Sequence, residues 1–349
     1  MATIMPATRI AGSPRLTFTT GETLASSNVE AGASAFEAGG TWLKAALHAH
    51  TSASDGELRP EAVAAHYEWA GFDVLAITDH WTLTSVPSTD HLLIITGAEL
   101  AVDPLAKGRY TEILAIGIDE LPEDPGGDRV YWERIDNYDF KTFRDLSAAS
   151  AFISDQGGAA FVAHPYWSGL PPEVIQSTTG LTGLELYNAS SERECGRGDS
   201  SYIWDLALEA GMALSAIATD DSHYPLFDIG DAWTMVRAED RSREAVLSAL
   251  RARRTYASNG PTLHDVRRDS DEIEVHCSPC ISVALHSRFQ EGWAVRADHR
   301  GRQEGGRILA RDDRGAVIGA RFRPEVDGLP FIRVVVTDAE GRKAWTNPV

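Results

Sequence analysis

Residues 47–80 read LHAHTSASDGELRPEAVAAHYEWAGFDVLAITDH, and the order of element types within them sets the fold class. An apolar run ends in His48 and His50, which share one face because alternate residues of a strand point the same way. A polar loop with Asp55 follows. Then comes a helical segment, 60–70, with Pro60 at its start and Gly71 just beyond its end, the usual punctuation of a helix. The next apolar run, FDVLAIT, has no polar alternation, as expected of a strand buried on both faces, and His80 stands at its C-terminal tip. Strand, loop, helix, strand in this order is a β/α unit with imidazoles at the C-terminal ends of its strands.

The same texture continues outward. Strands are expected over 43–49, 74–78, 93–97, 112–117, 159–163, 183–187 and 213–218, and helices over 60–70, 142–156, 201–210 and 242–252. Seven such repeats within residues 41–260 predict an α/β fold of parallel strands, a TIM-like barrel with one unit missing. An open doubly wound sheet is the rival, and no G-x-G-x-x-G turn marks it. After Asn259-Gly260-Pro261 the runs EIEVHC, ISVALH, GWAVRA, GAVIGARF and FIRVVVTD predict a small all-β sandwich over 261–349. Residues 1–40, rich in Ala, Ser, Thr and Gly, read as an N-terminal extension without a signal peptide.

Composition narrows the function classes. The 349 residues carry a net charge of -19. Residues 1–261 hold 37 Asp+Glu against 18 Lys+Arg, whereas residues 262–349 hold 14 of each. All the excess negative charge therefore lies in the first part, which disfavours stable nucleic-acid binding. No apolar run is long enough to span a membrane. Three cysteines cannot staple a chain of this size, so a reducing, cytoplasmic setting is expected. Cys277 and Cys280 form a lone C-x-x-C without a second pair, and Cys195 reads as an ordinary thiol.

Side chains able to hold metal recur at one topological position. His48, His50, Asp55, His80, Glu99, His164, Asp221 and His223 all fall at or just past the C-terminal end of an expected strand, and in a barrel those ends share one face. Imidazole mixed with carboxylate suits Zn²⁺, Mn²⁺ or Fe²⁺ in clustered hydrolytic centres. Asp79 and Asp220, beside these residues, are placed to orient them.

The stretch 47–80 resembles the opening of the PHP (polymerase and histidinol phosphatase) domain family. Glu99, His164-Pro165 and Asp221-Ser222-His223 resemble its later motifs in the same order. The resemblance implies a distorted (β/α)7 barrel with two or three divalent metal ions and a hydrolytic, usually phosphoester-cleaving, activity. It implies a first position held by His48, His50, Glu99 and Asp221, a second by Glu99 and His164, and a third by Asp55, His80 and His223. Many relatives carry a histidine where EILAIGID begins here, so Glu112 becomes a candidate ligand, although it starts a strand rather than ending one. RRTYASNGP (253–261) and GRKAWTNPV (341–349) resemble the narrower CehA/McbA-like branch, which includes carbamate and ester hydrolases.

The expected mechanism uses a hydroxide bridging two cations, with Asp221, Glu99 and His223 as the catalytic carriers of the centre. The substrate is expected to be a small phosphorylated molecule. The alternatives are a carbamate or carboxylester and, in a different class, a structural module without activity. Arg109, Arg197, Lys107 and Arg193 are candidate phosphate grips, and Tyr166 and Trp167 candidate stacking partners. Loop 119–140 is a candidate lid.

Overall fold

A computed structural model describes residues 34–103, 111–123, 126, 130–131, 139–140, 142–288, 290–298, 305–325 and 328–349. Lys107, Arg109, most of the candidate lid and residues 1–33 of the extension lie outside the described residues. The first part of the chain contains β1 (Thr41–Ala46), α1 (Pro60–Trp69), β2 (Val74–Ile77), β3 (Leu93–Val102), β4 (Thr111–Ile116) and the short pair β5 (Val130–Tyr131) and β6 (Asp139–Phe140). It continues with α2 (Leu146–Asp155), β7 (Ala159–Val162), α3 (Pro172–Ser177), β8 (Gly183–Asn188), α4 (Ala189–Cys195), α5 (Ser201–Glu209), β9 (Ser215–Thr219), β10 (Trp233–Ala238), α6 (Arg243–Arg251) and β11 (Thr255–Ser258). The last part is all strand: β12 (Leu263–Asp269), β13 (Glu272–Cys280), β14 (Ser282–His286), β15 (Gly292–Arg296), β16 (Gly306–Arg311), β17 (Val317–Phe322), β18 (Arg333–Thr337) and β19 (Lys343–Thr346).

The chain is a mixed α/β protein built on a thirteen-stranded sheet in the order β15-β14-β18-β19-β11-β10-β1-β2-β3-β4-β7-β8-β9, with a separate sheet β12-β13-β17-β16. The expectation of uniformly parallel strands is corrected. β1-β2-β3 and β7-β8-β9 are parallel, but β4 runs antiparallel to both β3 and β7, and β10 antiparallel to β1. The reversal has a direct consequence. The N-terminal end of β4 lies where its neighbours end, so Glu112 at its start faces Ala101 of β3 in the ladder. The two ends of the β1–β9 run meet through the bridge Ala49–Ser222, supported by His50 N–H donating to Ser222 O at 2.8 Å and Asp221 N–H to His48 O at 3.1 Å.

Both faces of this run are covered. Val74 and Ala76 of β2 join Leu43, Ala45, Ile95, Phe161 and Ile217 in one core, while Leu75 and Ile77 pack with Val63 and Tyr67 of α1 in another. That two-sided burial is why these strands read as unbroken apolar runs. The C-terminal strands do not stand apart from the large sheet, because β19 pairs with β11 (Tyr256 opposite Thr346) and extends it. Val266, Val275, Ala320 and Phe322 of the separate sheet share one core with Val283, Leu285, Val334 and Val336 of β14 and β18. Phe36 packs on Trp42 and Tyr256, tying the described end of the extension to this region. Among the described residues, no helix is long and apolar enough to cross a membrane.

Candidate metal centre

Four donor atoms converge at the junction where the ends of the β1–β9 run meet. His48 Nε2 lies 3.0 Å from Glu99 Oε2, 3.1 Å from Asp221 Oδ1 and 3.1 Å from His50 Nε2. His50 Nε2 lies 3.2 Å from Glu99 Oε2 and 3.3 Å from Asp221 Oδ1. Ligands placed tetrahedrally around an ion at the usual zinc–ligand distances stand roughly 3.4 Å apart, so these slightly shorter spacings, which are also those of hydrogen-bonded ion pairs, have room for one ion after a small outward shift.

Two further groups share residues with the first. His50, Asp55, His80 and His223 form one, and His80, Glu99 and Glu112 the other. Glu99 connects the parts: Oε2 faces His48 and His50, while Oε1 lies 3.1 Å from His164 Nε2. Glu112 reaches in from the reversed strand, 3.7 Å from His80 Nδ1 and 3.6 Å from His164 Nε2. Asp55 Oδ2 lies 3.4 Å from His223 Nε2 and 3.6 Å from His80 Nε2. The structure thus brings together all nine of the residues singled out. One placement differs from expectation, since Glu99 lies within β3 rather than just past a strand end.

The donor set passes a test of its fit to a cation. Asp221 Oδ1 is buried, and its polar neighbours among the described residues are ring nitrogens of His48 and His50 at 3.1 and 3.3 Å and of His223 at 3.7 Å, a donor set that suits a cation. The other Asp221 oxygen accepts from Asn188 Nδ2 at 3.1 Å, which turns Oδ1 toward the two Nε2 atoms. Asp221 and His164 also hold positive backbone φ angles, 53° and 25°. Side chains other than glycine adopt that region at a cost of order 1–3 kcal/mol, and such strain clusters at functional sites.

Hydrogen bonds behind the cluster fix which atoms face inward. His48 Nδ1 donates to Glu185 Oε1 at 2.8 Å, so Nε2 is the ring atom turned toward Glu99 and Asp221. Glu185 is fully buried and also accepts from Thr219 Oγ1 at 2.5 Å, the His164 backbone N–H at 2.7 Å and Asn188 Nδ2 at 2.9 Å. Asn188 in turn caps α4, its Oδ1 accepting from Ser191 N–H at 2.8 Å. Asp79 accepts from Thr51 N–H and Oγ1, Ser54 Oγ and Thr84 Oγ1, holding the loop that carries Asp55. Glu185 and Asn188 were not anticipated from sequence. A glutamate inside the apolar run GLELYN is the signal that marks the first of them; Asn188 has only its capping position.

Charge follows from this crowding. Burial opposes ionisation of His48, but Asp221, Glu99 and Glu185 together hold its pKa well above the usual histidine value. Burial likewise works against Asp221, and the surrounding histidines overcome it to hold that carboxyl far below the ordinary range. Burial and the neighbouring Glu99 carboxylate raise Glu112 to about 7. Extra positive charge is what such a carboxyl lacks, and a divalent ion supplies it. A Glu112→Gln variant should keep its shape and lose that attraction, weakening one metal equivalent by at least about 10–100-fold. Glu112→His should retain the metal and shift preference toward zinc. Metal analysis after dialysis distinguishes them, and full metal content with unchanged turnover in Glu112→Gln would place Glu112 outside the centre.

Among the described residues, the most exposed edge of the centre is that of Asp55 and His223. The side chains of Asp55 and His223 are 22% and 23% exposed, while those of His48, His50, Glu99 and Glu112 are 0–4% exposed. Of the expected substrate contacts, Trp167 packs edge-on against His164 at 4.9 Å and its Nε1–H donates to Glu194 at 3.0 Å. Tyr166 is exposed, with the Arg197 guanidinium 5.9 Å from its ring. Arg193 is not free to grip a phosphate, because it bonds Phe227 O and pairs with Asp231. Cys195 is exposed, and Cys277 and Cys280 are buried free thiols in β13.

No family model and no curated protein matches the sequence. Among solved structures, the chain is similar to a two-domain protein from Bacteroides vulgatus described as containing a predicted PHP-like metal-dependent phosphoesterase. Identity is 16%, the match covers 89% of this chain and 96% of that one, and the TM-score is 0.44. It is also similar to PsfC from Pseudomonas syringae (14% identity, 62% and 90% covered, TM-score 0.41). A third is an amidohydrolase from Chromobacterium violaceum with bound sulfate and no metal (18% identity, 60% and 96% covered, TM-score 0.39). At these scores the likenesses establish neither family nor activity.

Proposed function

We propose that this chain is a metal-dependent hydrolase of the PHP family, with β1–β4 and β7–β9 as its distorted barrel and a small phosphorylated molecule as its substrate. The observation that carries the reading is the buried Asp221 Oδ1 aimed at the Nε2 atoms of His48 and His50, inside a cluster of nine histidines and carboxylates. Two or three divalent ions, Mn²⁺, Zn²⁺ or Fe²⁺, would supply Lewis acidity and lower the pKa of water at neutral pH.

The protein's own part is positioning. Glu185 fixes the His48 tautomer and the His164 backbone, and Asn188 aims Asp221. His223 Nδ1 donates to the Asp221 carbonyl at 3.0 Å, so Nε2 is the atom presented toward Asp55 at the open edge. Substrate entering by that edge meets His223 and Asp55 before the buried residues. Arg197, exposed beside Tyr166, which lies two residues past His164, is the guanidinium among the described candidates that we assign to pairing with a phosphate.

The purified protein should carry at least two equivalents of transition metal, and chelation should abolish hydrolysis. A panel of aryl phosphates, phosphodiesters, aryl esters and aryl carbamates tests the substrate class. Carbamate or ester turnover without phosphate release would replace the phosphoesterase reading by the alternative. A metal-free protein as active as the loaded one would overturn the whole reading.

A further inference from the structure

The segment joining β9 to β10 carries Asp221 and His223, and two buried carboxylates cross-brace it. Asp220, at its start, accepts backbone N–H bonds from Gly230, Asp231 and Ala232 at its end, each at 2.9 Å. Asp228, near its end, accepts from Ser222 Oγ at 2.6 Å, His223 N–H at 2.9 Å and Tyr224 N–H at 2.8 Å. Each end of the segment is therefore held by a side chain from the other. Asp228 is 6% exposed and touches no candidate ligand side chain in these bonds. What it holds is the backbone on both sides of the His223 Cα, next to the left-handed Asp221.

The brace resists a specific distortion. Asp221 holds a left-handed backbone, which aspartate bears better than most side chains but still at some cost, so an unbraced turn has a lower-energy conformation available. Relaxation would swing Oδ1 away from His48 and His50 and carry His223 off Asp55. The three bonds to Asp228 prevent this on one side, and Glu57 N–H donating to His223 O at 2.8 Å and His50 N–H donating to Ser222 O prevent it on the other. The side chains of Tyr224, Leu226 and Phe227 are exposed and add little packing, so within 222–224 the side-chain anchor of the backbone is the Asp228 carboxylate, beside the turn's own bonds from Phe227 and Asp228 N–H to Tyr224 O.

We infer that Asp228 is a positioning residue for the metal centre, setting the affinity of the position that includes His223 through the backbone of residues 222–224. The inference rests on the metal-centre reading above. Loss of a supporting group behind a ligand costs about 10–100-fold in metal affinity, and that is the effect expected of Asp228→Ala on one equivalent, the others being little changed. Asp228→Asn should restore binding. Its Oδ1 can accept both backbone N–H groups while its Nδ2 donates to Ser222 Oγ, since a hydroxyl serves as acceptor as well as donor.

The experiment is calorimetric titration of Zn²⁺ into the chelator-stripped full-length protein, wild type and both variants, with the melting temperature of each stripped protein measured alongside. Selective weakening of one equivalent by at least tenfold in Asp228→Ala, with recovery in Asp228→Asn, is the expected result. Wild-type affinity in Asp228→Ala, or equal losses in the two variants, overturns the positioning role while leaving the metal centre intact. Fewer than two equivalents in the wild type overturns the metal centre itself, and the positioning role with it. Should Asp228→Ala fail to fold, Ser222→Ala, which removes one of the three bonds, is expected to weaken the same equivalent at least twofold; unchanged affinity there overturns the inference.

Discussion

Asp221→Asn should lose metal from the buried position and lower turnover by at least about 100-fold, the upper end of what losing a mere supporting group costs. The change is close to isosteric, and asparagine enters the left-handed region readily, so the backbone at φ 53° should be tolerated. The chemistry is what changes. If the amide oxygen keeps the bond from Asn188 Nδ2, the new NH₂ points at His48 Nε2 and His50 Nε2, where Asp221 Oδ1 stood 3.1 and 3.3 Å away. A neutral donor then replaces an anionic acceptor, removing a charge that would hold a cation between the two rings. Circular dichroism should show an unchanged fold, and elemental analysis at least one equivalent lost. Full turnover at full metal loading would remove Asp221 from the centre.

How much of this was legible in sequence depended on whether a feature was local. The β2 strand, α1 with its Pro60 and the positions of His48, His50 and His80 are written in contiguous patterns. Strand direction is not. TEILAI is buried along its whole length, and a strand covered on both faces has the same apolar run whether it runs parallel or antiparallel. The reversal of β4 was invisible for that reason, and with it the cause of Glu112 lying beside His80 and His164 despite standing at the start of a strand. The extension of the large sheet by β19 was hidden because the pairing of Tyr256 with Thr346 joins residues far apart in the chain. Asp228 gave no sequence signal either, as an acceptor of backbone N–H groups obeys no residue spacing.

The largest effect on stability is expected away from the centre, at the contact of α5 with β18. Arg333 is 1% exposed, forms a bidentate pair with Asp205 (Nε–Oδ1 2.6 Å, Nη2–Oδ2 2.7 Å) and lies over the Trp204 ring at 5.1 Å. Its Nη1 is buried with no partner among the described residues. His286, opposite it in the ladder, supplies no negative charge: burial and the Arg333 charge push its pKa down to about 4, so near neutral pH it is a neutral imidazole. Asp205→Ala would therefore strand a guanidinium whose only ionic partner in the described structure is gone. Breaking a fully buried pair from one side costs about 3–5 kcal/mol, an upper bound here because the Asp205 side chain is 23% exposed, whereas replacing both partners by apolar groups is often neutral. Denaturant unfolding should show that loss in Asp205→Ala, with metal content unchanged in the native protein. Adding Arg333→Met to Asp205→Ala should restore most of the stability, because it removes the unpaired charge and keeps the packing against Trp204. A double variant as unstable as Asp205→Ala would assign the cost to the missing Asp205 side chain itself rather than to the stranded charge.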